Sequence, residues 1–347
     1  MNPKTLLTTN ASALPEASAL PADPALPGYA SLCEPSRLNG VLSRVVARWL
    51  GPDVRLLNSG AHVRRLRPGK RCSVELELMV GRDQGALENR RLLGKFYRDD
   101  RGATVYQTLV ELRKHGLGTG RLLVPEPVAW MPEYNLLLLA WAEGESLSSV
   151  LLAGSDAEQG VKGAAAWLLG LHNCGVATGR CYSFIGHLRT LSGWKELLSE
   201  VYPKGERLLG ALLARLEERG SALSGWAPGP THRDFSPEHL VVQTDRFTCL
   251  DFDEFCQYDP LFDVAHFTAH LRFLGLTHFG ALNHFDWLSG RFLAAYEAGS
   301  HDYSEERLNL YLAIAYFKLG RFVALVQRPK EWLQMLPELL SEARRFV

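Results

Sequence analysis

The side chains that could do chemistry are concentrated in three stretches: HRDFSPEH (His232 to His239), LDFDEF (Leu250 to Phe255) and DPLFD (Asp259 to Asp263). Asp234 follows a His-Arg pair in a polar loop, and Asp251 comes 17 residues later at the end of an apolar run. A hairpin between them would bring both carboxylates to one edge of a cleft. Moving a phosphoryl group onto an alcohol needs such parts. One carboxylate orients the hydroxyl and takes its proton, a second holds a divalent cation on the phosphates, and a cation neutralises phosphate charge. Lys95 in LLGKFY is the candidate for that cation.

Each residue also has a bland reading. An aspartate in a loop is by default a turn or capping residue, and a strand lysine can snorkel to solvent. His172, at the end of a helical run, reads as a buried, hydrogen-bonded structural histidine. Asp253, Glu254 and Asp259 would either solvate a rim or suit a cationic substrate.

The elements around these residues follow from periodicity. CSVELELMV (Cys72 to Val80) alternates apolar and charged positions as a half-buried strand does, and LLGKFY (Leu92 to Tyr97) is a second strand. ATVYQTLVELRKHG reads as a helix ending at Gly116, and NLLLLAW (Asn135 to Trp141) as a buried strand. Ahead of them, Leu38, Val41, Leu42, Val45, Val46 and Leu50 share a helical face, with Ser36 as N-cap and Gly51 as stop. After Gly144 the pattern is mostly helical, broken by a hairpin signal at His239 to Glu254. Asp302 with Glu305 looks like a capping box before LNLYLAIAYFKLGRFVALV. The expectation is an α+β chain in three parts. Residues 1–35 form a disordered Ala/Pro-rich tail that docks, if anywhere, at its C-terminal end; 36–142 form a small β-rich lobe; 143–347 form a larger, mainly helical one.

Bulk properties narrow the partners. Lys+Arg and Asp+Glu are equal at 38 each, so the chain offers no net field for nucleic acid or an anionic membrane, and neither is expected as partner. The six cysteines are scattered without CxxC spacing, so reduced thiols are expected. The N-terminus lacks the apolar core of a signal peptide, and no uninterrupted apolar run reaches the roughly 20 residues of a membrane helix. A cytoplasmic location follows as the simplest expectation.

The set of motifs resembles the aminoglycoside phosphotransferase and choline kinase-like family, which shares H-x-D-x-x-x-x-N and a following (L/I)-D-(F/W) strand with protein kinases. Gly144-x-x-Leu147, Leu171-His172 and the DP…D element favour this branch, and the APE marker of protein kinases is absent. The resemblance spans roughly residues 55 to 275. It implies a bilobal protein kinase-like fold and transfer of the γ-phosphate of ATP or GTP, with Mg²⁺, to a hydroxyl of a small metabolite or aminoglycoside-like acceptor. By position, Asp234 would be the catalytic base or hydroxyl-positioning residue. Asp251 would bind the metal and Lys95 the α- and β-phosphates. Leu139, Ala140, Trp141 and Ala142 would meet the base through their backbone, and Asp263 would brace the catalytic loop.

This chain departs from the pattern at three points. His239 stands where the metal-ligating Asn belongs, so either one principal metal is used or His239 reaches the phosphate. The helix after Lys95 lacks the expected Glu, leaving Gln107 and Glu111 as nearest candidates. GxGxxG is missing; Gly60 in NSGAHV, or Gly69 and Arg71 in RLRPGKRC, would approach phosphate instead. A pseudokinase that binds nucleotide or a partner without phosphotransfer is the competing expectation.

Overall fold

The computed structural model describes residues 23–82, 85, 87–223 and 226–347. Two compact units emerge: the described residues up to Tyr106 together with Pro127–Trp141, and Gln107–Glu126 together with Ala142–Val347. In chain order the first unit carries α1 (Pro27–Ser31), α2 (Pro35–Leu50), β1 (Val54–Arg67), β2 (Arg71–Arg82) and β3 (Leu87–Tyr97). Helix α3 (Arg101–Leu112) spans the division, β4 (Leu122–Leu123) lies in the second unit, and β5 (Pro127–Met131) and β6 (Leu136–Ala140) return to the first. The second unit continues with β7 (Glu145–Ser146), α4 (Leu147–Ala153), α5 (Ala157–His172), β8 (Arg180–Cys181), α6 (Phe184–Val201) and α7 (Glu206–Ala222). It closes with β9 (Gly229–Thr231), β10 (Leu240–Gln243), β11 (Arg246–Cys249), β12 (Cys256–Tyr258), α8 (Leu261–Phe279), α9 (Asp286–Gly299), α10 (Glu305–Phe322) and α11 (Trp332–Arg345).

The first unit is built on an antiparallel sheet of order β1-β2-β3-β6-β5. Alternation in β2 puts Cys72, Val74, Leu76, Leu78 and Val80 in the core that also buries Leu38, Val41, Leu42, Val45 and Val46 of α2. Each such side chain contributes about 1.5–3 kcal/mol of burial. Pro35 opens α2, where its missing N–H costs nothing, and Gly51 at φ 112° closes it.

The second unit holds two small sheets, of order β4-β11-β10-β7 and β8-β12-β9, among helices. Helix α8 is its axis, apolar on nearly every side because it is buried on nearly every side. Trp167 of α5 is fully buried, stacks on Phe235 and donates its indole N–H to the Leu123 carbonyl at 2.9 Å. By length and composition the stretch Glu305–Gln327 could cross a membrane, but 67% of its apolar window is buried inside the protein, which accounts for that composition. All six cysteines are free.

Several expectations need correction. The tail reading fails for residues 23–35, because Leu26, Tyr29 and Leu32 are core residues around α1, and α2 already starts at Pro35; residues 1–22 lie outside the described residues. Glu34, not Ser36, is the N-cap of α2. The contact division runs between Trp141 and Ala142, and residues 107–126 group with the second unit. The helix read to Gly116 ends at Leu112 and runs on as a wider turn to Leu117. Ser304 caps α10 by accepting from the Arg307 N–H, while Asp302 pairs with the Arg307 guanidinium.

Candidate active site

The β10–β11 hairpin sets the site's geometry. Its register pairs Leu240 with Cys249, and one step beyond, the Leu250 N–H donates to the His239 carbonyl at 2.7 Å. Residues at the two open ends of the hairpin, His239 and Asp251, are thereby neighbours. The loop from His232 to His239 is anchored from below by Asp263 in the first turn of α8. Its carboxylate accepts from the His232 and Arg233 backbone N–H groups, each at 2.7 Å, and lies 3.3 Å from His172 Nε2. The bracing role expected of Asp263 thus has a structure, as does the structural role of His172.

The loop's own histidines fix one another. His232 Nε2 donates to the Leu250 carbonyl at 2.8 Å, so its Nδ1 is free to accept the Asp234 N–H at 3.2 Å. Arg233 takes a left-handed φ of 67°, a strained value for a side chain of this size. Two contacts hold it there: the bond to Asp263, and stacking of its guanidinium over Tyr182 at 3.6 Å. His239 Nδ1 donates to the Asp234 carbonyl at 2.7 Å. Its imidazole then stands between the carboxylates, 3.7 Å from Asp234 Oδ2 on one side and 3.9 Å from Asp251 Oδ2 on the other. With Nδ1 protonated, the Nε2 lone pair faces Asp251, a residue that also sits at positive φ.

Sequence reasoning missed two residues here. Lys318 of α10 donates to Asp234 Oδ1 at 2.9 Å and to His266 Nε2 of α8 at 2.8 Å. His266 Nδ1 donates to the Phe235 carbonyl, which leaves Nε2 as the acceptor the lysine needs. Burial first, and then the Lys318 charge, push the His266 pKa well down and keep it neutral. Burial alone would raise the Asp234 carboxyl, but the Lys318 charge and hydrogen bond hold it well below the usual range. The signal was present in the sequence: Lys318 is a cation inside a long apolar helical run.

Of the remaining candidates, Lys95, Gly60, Gly69, Arg71 and Leu139 to Trp141 lie in the first unit. Lys95 on β3 pairs with Ser73, is only 5% exposed, and has its ammonium 5.7 Å from the Tyr97 ring centre. Gly60 is not in a loop but in the middle of β1, opposite Glu77. The β1–β2 turn is Arg67-Pro68-Gly69-Lys70, with Gly69 at φ 67° as a Pro-Gly turn requires, and Arg71 opens β2. The Gly69 N–H donates to Asp23 Oδ2 at 2.9 Å. Leu139 and Ala140 end β6 opposite Leu93 and Leu92. The Trp141 N–H is committed to the Arg91 carbonyl at 3.1 Å, and Ala142 begins the next stretch of the second unit. Gln107 is exposed and Glu111 accepts from Lys114 at 2.8 Å. Asp259 does not line a rim: it is fully buried, accepts the Leu261 N–H and lies 3.5 Å from Arg307. Glu254 is paired with Arg180.

This arrangement places a carboxylate, a lysine and an Asp–His pair around one loop. The chain belongs to the phosphotransferase enzyme family, whose profile matches residues 85–311. No curated protein sequence matches it. Its fold is similar to that of a choline kinase from Streptococcus pneumoniae, at 13% identity and TM-score 0.58 over 89% of this chain and 99% of that one. A choline kinase from Cryptosporidium parvum gives 12% identity and TM-score 0.59 over 90% and 95%. The GDP complex of an aminoglycoside 2'-phosphotransferase gives 15% and 0.51 over 88% and 97%. At these identities the likeness carries the fold, which is protein kinase-like.

Proposed function

We propose that this protein is a small-molecule kinase that transfers the γ-phosphate of ATP or GTP to a hydroxyl group with the help of Mg²⁺. The carrying observation is Asp234, a carboxylate oriented by Lys318 and one imidazole away from Asp251. Asp234 accepts the hydroxyl proton as the oxygen bonds to the γ-phosphorus and the bond to the departing nucleoside diphosphate breaks, and its fixed geometry supplies most of its effect by orientation. Lys95, the turn at Gly69 and Arg71, and the backbone from Leu139 to Ala142 are the proposed nucleotide contacts, by resemblance to the family.

The metal-binding proposal rests on Asp251 and His239. Among the described residues no group of three or more His, Cys, Asp or Glu side chains converges as a metal cage. Two protein ligands suit an ion that takes its remaining oxygens from phosphates and water, so the residues present fit a nucleotide-borne divalent cation. When bound, such an ion neutralises phosphate charge. The imidazole in place of an amide oxygen also supports a second reading, a nucleotide-binding module without transfer.

One experiment separates the two. ATP or GTP with Mg²⁺ should raise the melting temperature, and a transfer screen over aminoglycosides, amino alcohols, sugars and hydroxy acids should show turnover that Asp234→Asn abolishes. Stabilisation without turnover on any acceptor selects the second reading, and neither effect rejects both.

A further inference from the structure

Two further cations flank the elements that hold Asp234. Arg321 follows Lys318 by one turn on α10, and its guanidinium lies 4.9 Å above the ring of Trp194 on α6. Its Nε is buried without a hydrogen-bond partner, and among the described residues no carboxylate comes within ion-pair distance. The side chain as a whole is half-buried, and a buried donor without a partner is uncommon in folded proteins. Burial is the sole influence on its pKa, which is pushed down.

The neighbourhood repeats the pattern. Arg233, stacked on Tyr182, also has a buried Nε without a partner. His187 lies on the same α6 face as Trp194, seven residues earlier. Burial first, then the charges of Arg233 and Lys318, hold it neutral with a pKa of about 3. It therefore adds no charge, but it locates both cations around one patch between α6, the catalytic loop and α10. Of the carboxylates around it, Asp234 is balanced by Lys318, and Asp263 is spent on the backbone N–H groups of His232 and Arg233.

We propose that Arg321 is the anchor for a carboxylate on the phosphate acceptor, so that the substrate is a hydroxylated carboxylic acid and not a cationic alcohol. The planar fork of an arginine stacked on an indole presents parallel N–H donors at its edge, which matches a carboxylate in two-bond geometry. Lys318 and Arg233 add a favourable field while Asp234, one helical turn from Arg321 through Lys318, takes the hydroxyl. A permanently cationic acceptor such as choline would instead meet like charge. This assignment rests on the kinase reading for the identity of the site, but its recognition step can be tested without turnover.

Matched pairs isolate the carboxylate: serine against ethanolamine, and glycerate against glycerol. Equilibrium binding to the wild-type chain, by calorimetry or ligand-observed NMR, should favour the carboxylate member of each pair by about tenfold or more, the scale of a charge-assisted bond. Arg321→Gln should bring the ratio close to one, and Arg321→Lys should keep part of it. A structural fault lowers both members of a pair equally, so only loss of the carboxylate contact closes the gap. Equal or tighter binding of the amino alcohol or the neutral alcohol by the wild type overturns the proposal, as does a preference unchanged in Arg321→Gln. If instead carboxylates bind as expected but no acceptor is phosphorylated, the kinase reading fails and the anion site stands.

Discussion

Replacing Lys318 with methionine keeps the length and apolar stem of the side chain and removes its ammonium. The lost contact is 2.9 Å long, between groups 28% and 36% exposed. Two unit charges at that distance attract by about 6 kcal/mol at an effective dielectric of 20. Water reaches both partners, so a discounted value of roughly 1.5–3 kcal/mol, typical of hydrogen bonds to charged groups, is the better guide. If that interaction holds Asp234 in its working orientation, its loss lowers kcat by about 10- to 100-fold, at roughly 1.4 kcal/mol per decade. Nucleotide KM should move little, since Lys318 acts through Asp234. Stability supplies a second readout in Lys318→Met, Asp234→Asn and the double variant, unfolded in denaturant. Partners in direct contact should show a coupling of at least about 0.5 kcal/mol. A kcat within twofold of wild type, or strictly additive stability changes, would refute the positioning role.

Other outcomes follow from the same geometry. Asp263→Asn leaves one oxygen for two backbone donors now bonded at 2.7 Å, so it should cost about 1–3 kcal/mol in denaturant unfolding and lower kcat as the loop loosens. His239→Asn replaces a borderline-metal ligand with an oxygen donor. Nucleotide affinity measured with Mn²⁺ should therefore fall relative to that with Mg²⁺, and an unchanged ratio would remove His239 from the metal site. Glu342 gives a pH signature. Burial alone would raise its carboxyl, but hydrogen bonding and charge from Arg272, then Arg345, hold it below the ordinary value. Its contribution is thus complete above the unfolded-state value of about 4.3 and is lost as pH falls through the lower folded-state value. Glu342→Gln should flatten this acid limb of the unfolding free energy; an unaltered slope there would count against the pairing.

How far the sequence could be read depended on the range of the interactions. The strands at Cys72 to Val80 and Leu136 to Ala140 were legible because one face of each is continuously buried. The first strand was harder to see: register shifts at Leu56/Asn58 and Val63/Arg65 interrupt its alternation. Helix α1 is five residues long, too short for a helical period to show inside a proline-rich stretch. The loop from His232 to His239 and the hairpin after it were legible because their chemistry-bearing residues are local, within 20 residues. Lys318 and His266 come from helices whose own patterns say only that they are buried, and their meeting at Asp234 is a product of tertiary packing.

Asp263 has a consequence for how such a chain can change. With its carboxylate saturated by two main-chain donors and a histidine from α5, the loop's path is dictated from underneath, and Phe235 to Glu238 need not encode it through their own turn preferences. On the proposed reading, the walls on α6 and α10 can then drift, or be redesigned, while the Asp234 carboxylate stays put. Variation would be tolerated on the walls of the site and punished at its foundation.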